Sequence, residues 1–299
     1  MNCPDTTCTV RDCCPPQAWD YLADEVVLWQ IADYGQPSGS PGAVSDLVNA
    51  DPEADAVLAV GDNDYVGDYS LSVQPYYGVP WKARKKLWPC PGNHDWDYGS
   101  NLAPYLAYFS DLNGCRYYQK RFGIVEVFML DDGYDTAMSM QEPDGNTAGT
   151  IDSNGNPTGG SAQWRWFVRA VAASKAVWKV ACIHHPPFSS GNSHVGQPGV
   201  VAPGNNPALQ WQFKQIGIDL VLSGHEHSYE RLSIGGMTYV VNGLGGINKT
   251  GFASTPVPGS VVRYNSQFGG LRLRFTPDLL SGEFRPVSGN SPDSFTLTK

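Results

Sequence analysis

The sequence predicts an α/β fold whose chemistry-bearing residues gather beyond the carboxyl ends of its strands. Three observations carry that expectation. Short apolar runs recur along the chain, and at least five are followed within about two residues by Asp, Asn or His. Strand and helix patterns alternate through the first half, whereas the last seventy or so residues are mostly β. In open α/β sheets the ligand site lies beyond the carboxyl ends of the strands, so polar residues repeatedly placed there converge from distant segments.

The elements follow in order. Residues 26–31 are an apolar run ending near Asp33-Tyr34-Gly35, which reads as a buried strand and a loop. A short helix over 41–49 leads to a second strand at 56–60, closed by Gly61-Asp62. Residues 86–91 run into Gly92-Asn93-His94-Asp95, and the apolar strand 124–130 ends at Asp131-Asp132. Residues 141–160 are rich in Gly, Asn, Asp, Thr and Pro and read as an exposed loop. Trp164, Phe167, Val168 and Val171 recur at i, i+3, i+4 and i+7, the period of an amphipathic helix over 163–174. Its tryptophans are explained by packing on a sheet. A strand at 178–183 ends at His184-His185, a long loop covers 186–208, and a strand at 218–222 ends at Ser223-Gly224-His225. Five strands close the chain at 229–234, 237–241, 271–275, 282–286 and 294–298.

Composition narrows the function classes. A chain of 299 residues can bury a large core, and 41% hydrophobic with 16% charged residues is ordinary for a globular protein. The formal net charge of −9 argues against broad binding to nucleic acid or to an anionic membrane surface. No apolar run is long enough to span a membrane, and the opening MNCPDTTCTV has no apolar signal-peptide core. Four of the seven cysteines, Cys3, Cys8, Cys13 and Cys14, crowd the N-terminus in no familiar zinc spacing. Disulfide stapling of an appended segment over 1–20 is the favoured reading, with reduced thiols as the alternative; it tilts the expected compartment toward extracellular or periplasmic. Residues 21–299 are then expected to form one catalytic domain.

Asp62, Asn93, His184, His225 and His227 offer carboxylate, amide and imidazole donors, a set that suits Zn, Fe or Mn better than Mg alone. Singly, each is an ordinary turn residue; jointly they read as metal ligands. Gly224 lets the backbone before His225 pass close to such a site, and Gly61 and Gly92 suit tight turns before ligand-type residues. In an extended segment His225 and His227 point to one side, and His185 points away from His184.

The set Asp33-Tyr34-Gly35, Gly61-Asp62-Asn63-Asp64-Tyr65, Gly92-Asn93-His94-Asp95, His184-His185-Pro186 and Gly224-His225-Glu226-His227 resembles the five-block signature of the calcineurin-like metallophosphoesterases. The blocks keep the family order and span about two thirds of the chain. Tyr65, three residues after Asp62, and Gly35, where many members carry His, are similar to the purple acid phosphatase branch. The resemblance implies a four-layer α/β/β/α sandwich with two mixed β-sheets. It implies one metal site of Asp33, Asp62, Tyr65 and His227, and a second of Asn93, His184 and His225 with Asp62 as the bridge. It further implies Fe(III) at the Tyr65 site and Fe(II), Zn or Mn at the other. His94 matches a histidine on the substrate side, with Asp95 orienting it, and His194 matches a second such histidine by loop spacing alone; a surface histidine is the plain alternative there.

The implied reaction is hydrolysis of a small phosphoric monoester by hydroxide generated at the metals, with His94 or His194 protonating the leaving group. Two rival readings stand beside it. One is a phosphodiesterase or cyclic-nucleotide hydrolase on the same ligands. The other is a non-catalytic binding module retaining the fold, against which the full ligand set argues. Asn248-Lys249-Thr250 matches a glycosylation sequon, a pattern common by chance.

Overall fold

The computed structural model describes residues 23–98, 102–132, 148–194 and 209–299. The strands in chain order are β1 (Val26–Ile31), β2 (Ala56–Val60), β3 (Leu87–Cys90), β4 (Tyr118–Phe122), β5 (Val125–Met129), β6 (Thr150–Ile151), β7 (Pro157–Thr158), β8 (Trp178–Cys182), β9 (Leu220–Ser223), β10 (Tyr229–Ile234), β11 (Met237–Asn242), β12 (Ser260–Tyr264), β13 (Gly269–Phe275), β14 (Leu279–Pro286) and β15 (Ser294–Thr298). The α-helices are α1 (Gly39–Asn49), α2 (Tyr69–Ser72), α3 (Asn93–Asp97), α4 (Ala103–Tyr108), α5 (Ala162–Ala173) and α6 (Phe213–Ile216).

Two mixed sheets face each other, in the orders β15-β14-β13-β1-β2-β3 and β12-β10-β11-β9-β8-β5-β4. In the first, β1, β2 and β3 run parallel and β13 joins β1 antiparallel. In the second, β5, β8, β9 and β11 run parallel, flanked by antiparallel β4 and β10. Alternation along the strands divides the core. Val125, Val127, Met129, Val180, Cys182, Leu220 and Leu222 point toward the first sheet, where Trp178 meets Phe275. Phe128, Leu130, Ala181, Ile183 and Val221 point outward against Trp164, Phe167 and Val171 of α5 and Phe213 of α6. Helix α1 packs Val44 and Val48 into the first core cluster. The helix–sheet–sheet–helix order is therefore the expected four-layer sandwich. Burial on both faces explains why these strands read as continuous apolar runs.

A polar lock joins the layers. The side-chain amides of Gln30 on β1 and Asn242 on β11 are both fully buried, and Asn242 Nδ2 donates to Gln30 Oε1 at 3.0 Å. Buried amides are tolerated when paired, and this pair also fixes how the sheets align.

Several expectations need correction. The 141–160 segment is not all loop, because β6 and β7 form a small hairpin within it. Strands β4 and β12 were not anticipated. The N-terminal segment with Cys3, Cys8, Cys13 and Cys14, and parts of the loops at 141–160 and 186–208, lie outside the described residues. Cys115 is disulfide-bonded, while Cys90 and Cys182 are buried free thiols. No described helix is long and apolar enough to cross a membrane.

Candidate metal centre

The parallel registers bring the carboxyl ends of β1, β2 and β3 side by side, and likewise those of β5, β8 and β9. Asp33, Asp62 and Asn93 follow the first three. Asp132, His184 and His225 follow the second three. Bonds cross between the two sheets at this end: His225 N donates to Asp33 Oδ2 at 2.8 Å, and His184 Nδ1 meets Val60 O at 2.9 Å.

Three of the expected ligands, Asp33, Asp62 and His225, have left-handed backbones with φ of 57°, 50° and 69°. Non-glycine residues rarely accept this conformation, and it clusters at functional sites. Two glycines permit the close approach. A Cβ on Gly61 (φ +84°) would lie 2.1 Å from His184 Nδ1, and one on Gly224 would lie 2.6 Å from Asp33 Oδ2.

The first expected site is assembled. Tyr65 Oη donates to Asp62 Oδ2 at 2.8 Å, and it also lies 3.2 Å from Asp33 Oδ1 and 3.4 Å from His227 Nε2. His227 Nε2 is itself 3.4 Å from Asp33 Oδ1. The second is assembled around the other oxygen of the same carboxylate. His184 Nε2 lies 3.3 Å from Asp62 Oδ1, and His225 Nδ1 lies 3.1 Å from Asn93 Oδ1. Single donor atoms of Asp33, Asp62 and His184 all fall within 4.8 Å of one another. The Val60 carbonyl can only accept, so His184 carries its proton on Nδ1 and turns Nε2 to the centre. His184 Nε2 and His225 Nε2 are buried and complete no hydrogen bond among the described residues. Oxygen and imidazole donors of this kind, buried and aimed together, fit transition-metal ions.

The electrostatics agree with a site short of positive charge. Burial would raise the Asp62 carboxyl, but contact with His184, and then His94, holds it far below its ordinary range. Burial would lower His184, but Asp62 and then Asp33 push it up to about 10. Burial and the Asp62 and Asp33 charges push the Tyr65 phenol well above its usual value. A metal ion bound here would take the place of the proton on the Tyr65 phenol and of any proton on His184 Nε2.

Two orienting roles differ from expectation. Asp95 does not steer the His94 ring. It is 1% exposed, and its carboxylate is turned inward to accept from Gly92 N, Asn63 Nδ2 and Tyr69 Oη. His94 Nδ1 instead sits 2.7 Å from Asp97 Oδ2, one turn along α3, because a helix sets i and i+3 on one face. His185 is not turned away. The chain bends after β8, which ends at Cys182, so alternation no longer applies. Its Nδ1 bonds Asp132 Oδ2 at 2.9 Å, and its ring lies 4.0 Å from that of His225. His225 and His227 likewise reach the centre through a left-handed turn rather than along a strand.

His194 does reach the site. Its ring lies 3.9 Å from that of His225, and Nδ1 is 3.2 Å from Glu226 Oε1. The contacts that sequence reasoning missed are therefore Asp97, Asp132, Glu226 and Asn248, whose side-chain oxygen meets His227 Nδ1. That last bond gives the sequon asparagine a place beside the centre. Glu226 and Asp97 had a readable signal, since each lies within the motif or one helical turn of it.

A calcineurin-like phosphoesterase family model matches residues 27–229, and the chain belongs to that family. Within it, purple acid phosphatase 7 of Arabidopsis thaliana is 24% identical over 287 residues, covering 90% of this chain and 85% of that protein. The solved purple acid phosphatase of yellow lupin (Lupinus luteus) superposes with a TM-score of 0.70 at 18% identity, covering 92% of this chain. This chain spans 54% of the lupin protein's length. GAP50, described as the anchor in the inner membrane complex of Plasmodium, has a TM-score of 0.62 at 14% identity, over 92% of this chain and 89% of that one. At these identities the solved structures establish the fold.

Proposed function

We propose that this chain hydrolyses phosphoric monoesters with two metal ions, in the manner of a purple acid phosphatase. The observation that carries the reading is the Tyr65 phenol, in contact with Asp33, Asp62 and His227 at once. A phenol among carboxylates makes a hard anionic pocket suited to trivalent iron, and the imidazole-richer neighbouring pocket suits Fe(II), Zn or Mn. Ions held there would supply Lewis acidity and a nucleophile from water near neutral pH.

The chain's own residues do the rest. Asp62 offers one oxygen to each pocket, Oδ2 toward Tyr65 and Oδ1 toward His184. Asp97 can only accept from His94 Nδ1, which leaves Nε2 of this part-exposed ring to hold a proton for the departing alkoxide. Glu226 plays the same part for His194. Asp95 fixes the loop that carries Asn93 and His94 through Gly92 N and Asn63.

One preparation tests this: metal content, the visible spectrum after iron loading, and turnover of a matched monoester and diester. The expected result is a coloured protein with iron at one site, faster on the monoester, whose colour is lost in Tyr65→Phe. A colourless oxidised iron form, or colour unchanged by Tyr65→Phe, overturns the tyrosine–iron assignment. A faster diester reaction overturns the substrate class. Absence of any turnover with both metals bound would return the chain to the binding-module reading, which the fold alone leaves open.

A further inference from the structure

A carboxylate outside the metal centre fastens the loop that carries His194. Glu230 is the second residue of β10, and it is 0% exposed. A buried carboxylate is costly unless its oxygens are hydrogen-bonded. Both oxygens of Glu230 are used. Oε2 accepts from Ser190 N at 2.6 Å and from Ser189 Oγ at 3.4 Å, while Oε1 accepts from Ser190 Oγ and Ser260 Oγ, each at 2.6 Å. Three of these four donors belong to the loop after β8, so the carboxylate holds that loop more than its own sheet. Ser190 is held on its other sides too: its carbonyl accepts from Ala253 N at 2.8 Å and its hydroxyl from Val257 N at 3.0 Å.

The next residue carries that order to the metal side. Gly191 N donates to Ser189 Oγ at 2.9 Å, and a Cβ on Gly191 would lie 2.2 Å from Glu226 Oε2. The Gly191 backbone is thus the wall against which the Glu226 carboxylate rests. Glu226 Oε1 in turn lies 3.2 Å from His194 Nδ1. The contacts run without a gap from Glu230 through Ser190 and Gly191 to Glu226 and His194.

We propose that Glu230 is a positioning residue for His194: it fixes Ser190, so that Gly191 and Glu226 hold the imidazole with Nε2 toward the leaving group. The proposal rests on the reading of His194 as a proton donor. Glu230 touches no reacting atom, so its effect passes through His194 and grows with the leaving group's need for a proton.

The test compares kcat of the metal-loaded chain on an alkyl phosphate and on para-nitrophenyl phosphate. Glu230→Leu takes the acceptor from Ser190 N and is expected to lower kcat on the alkyl ester by about tenfold, with little loss on the nitrophenyl ester and metal content unchanged. Glu230→Gln keeps an amide oxygen for Ser190 N, and the serine hydroxyls can turn to accept from its amide N–H groups, so it stays near the parent rate. In a His194→Ala background Glu230→Leu costs nothing further, as two residues acting through one group require. Ser190→Ala, a smaller change that serves should Glu230→Leu not fold, shows the same selectivity for the alkyl ester. Apart from turnover, imidazole NMR of the zinc-loaded chain finds the His194 proton fixed on Nδ1, and Glu230→Leu spreads it over both ring nitrogens. An equal loss on both esters, loss of metal, a further loss in the His194→Ala background, or a His194 signal unmoved by Glu230→Leu overturns the proposal and leaves Glu230 a structural residue. Equal losses on both esters in His194→Ala alone overturn the proton-donor reading itself, and this proposal falls with it.

Discussion

Asp33, Asp62 and His225 sit in a backbone conformation that costs about 1–3 kcal/mol apiece for residues with side chains. The surrounding bonds hold them there, such as His225 N to Asp33 Oδ2 and His94 N to Asp62 Oδ1. At this scale the sequence was legible for donor types, because each block is local and carries its own chemistry. It was not legible for their partners. Asp132 lies 53 residues before His185, and Asn248 lies 21 after His227; only the folded chain joins them. His194 is the residue most sharpened by the structure, since Glu226 now gives it a reason to present Nε2. His194→Ala is expected to lower kcat by about 100-fold on alkyl phosphates, with a much smaller loss on activated aryl phosphates. Rates on a series of leaving groups check this, and an equal loss across the series argues against a proton-donor role.

Among the elements, the strands that read most clearly are those buried on both faces. β1 and β2 fall where the apolar pattern puts them, β8 differs by a residue at one end, and β5 by a residue at each. β4 escaped because its sequence, YQKRF, is largely polar and lies at a sheet edge, where one row of backbone groups has no strand partner among the described residues. The two-residue turn at Gly123, with φ +48°, was the available hairpin signal. β12 is also an edge strand, with alternating exposure. Strand ends matter more than strand middles for the site, and Gly224 tests that. An added Cβ would lie 2.4 Å from Ala32 Cβ and 2.6 Å from Asp33 Oδ2, forcing the two sheets apart where they meet. Gly224→Ala should destabilise by about 1–3 kcal/mol, as overpacking does, and weaken metal binding with it. Gly39→Ala, with nothing within 4 Å of the new atom, serves as the control. Denaturant melts with parallel metal titrations give the answer; a Gly224→Ala protein matching Gly39→Ala in both would refute the close-packing account.

For the whole molecule, the expected ligands come from both sheets of the sandwich. Asp33, Asp62 and Asn93 follow strands of one sheet, and His184 and His225 follow strands of the other. The four-layer order was legible only through resemblance, because no pattern within a strand says which sheet it joins. Ions bound between the sheets would therefore act as a staple that the unfolded chain cannot reproduce. A ligand held only by the folded state stabilises it by about 2.7 kcal/mol at a hundredfold excess over its dissociation constant. Without metal, the Asp62–His184 contact and the Gln30–Asn242 lock still hold the sheets, so the metal-free chain should remain folded but melt earlier. The melting temperature should climb with the logarithm of free metal once the sites fill, and Asp62→Ala should flatten that dependence because it removes the one carboxylate shared by both pockets. Calorimetric melts across a chelator-buffered metal series measure it. If two ions bind and the melting temperature does not move, the ligands are not drawn together from both sheets, and the shared-carboxylate centre is wrong.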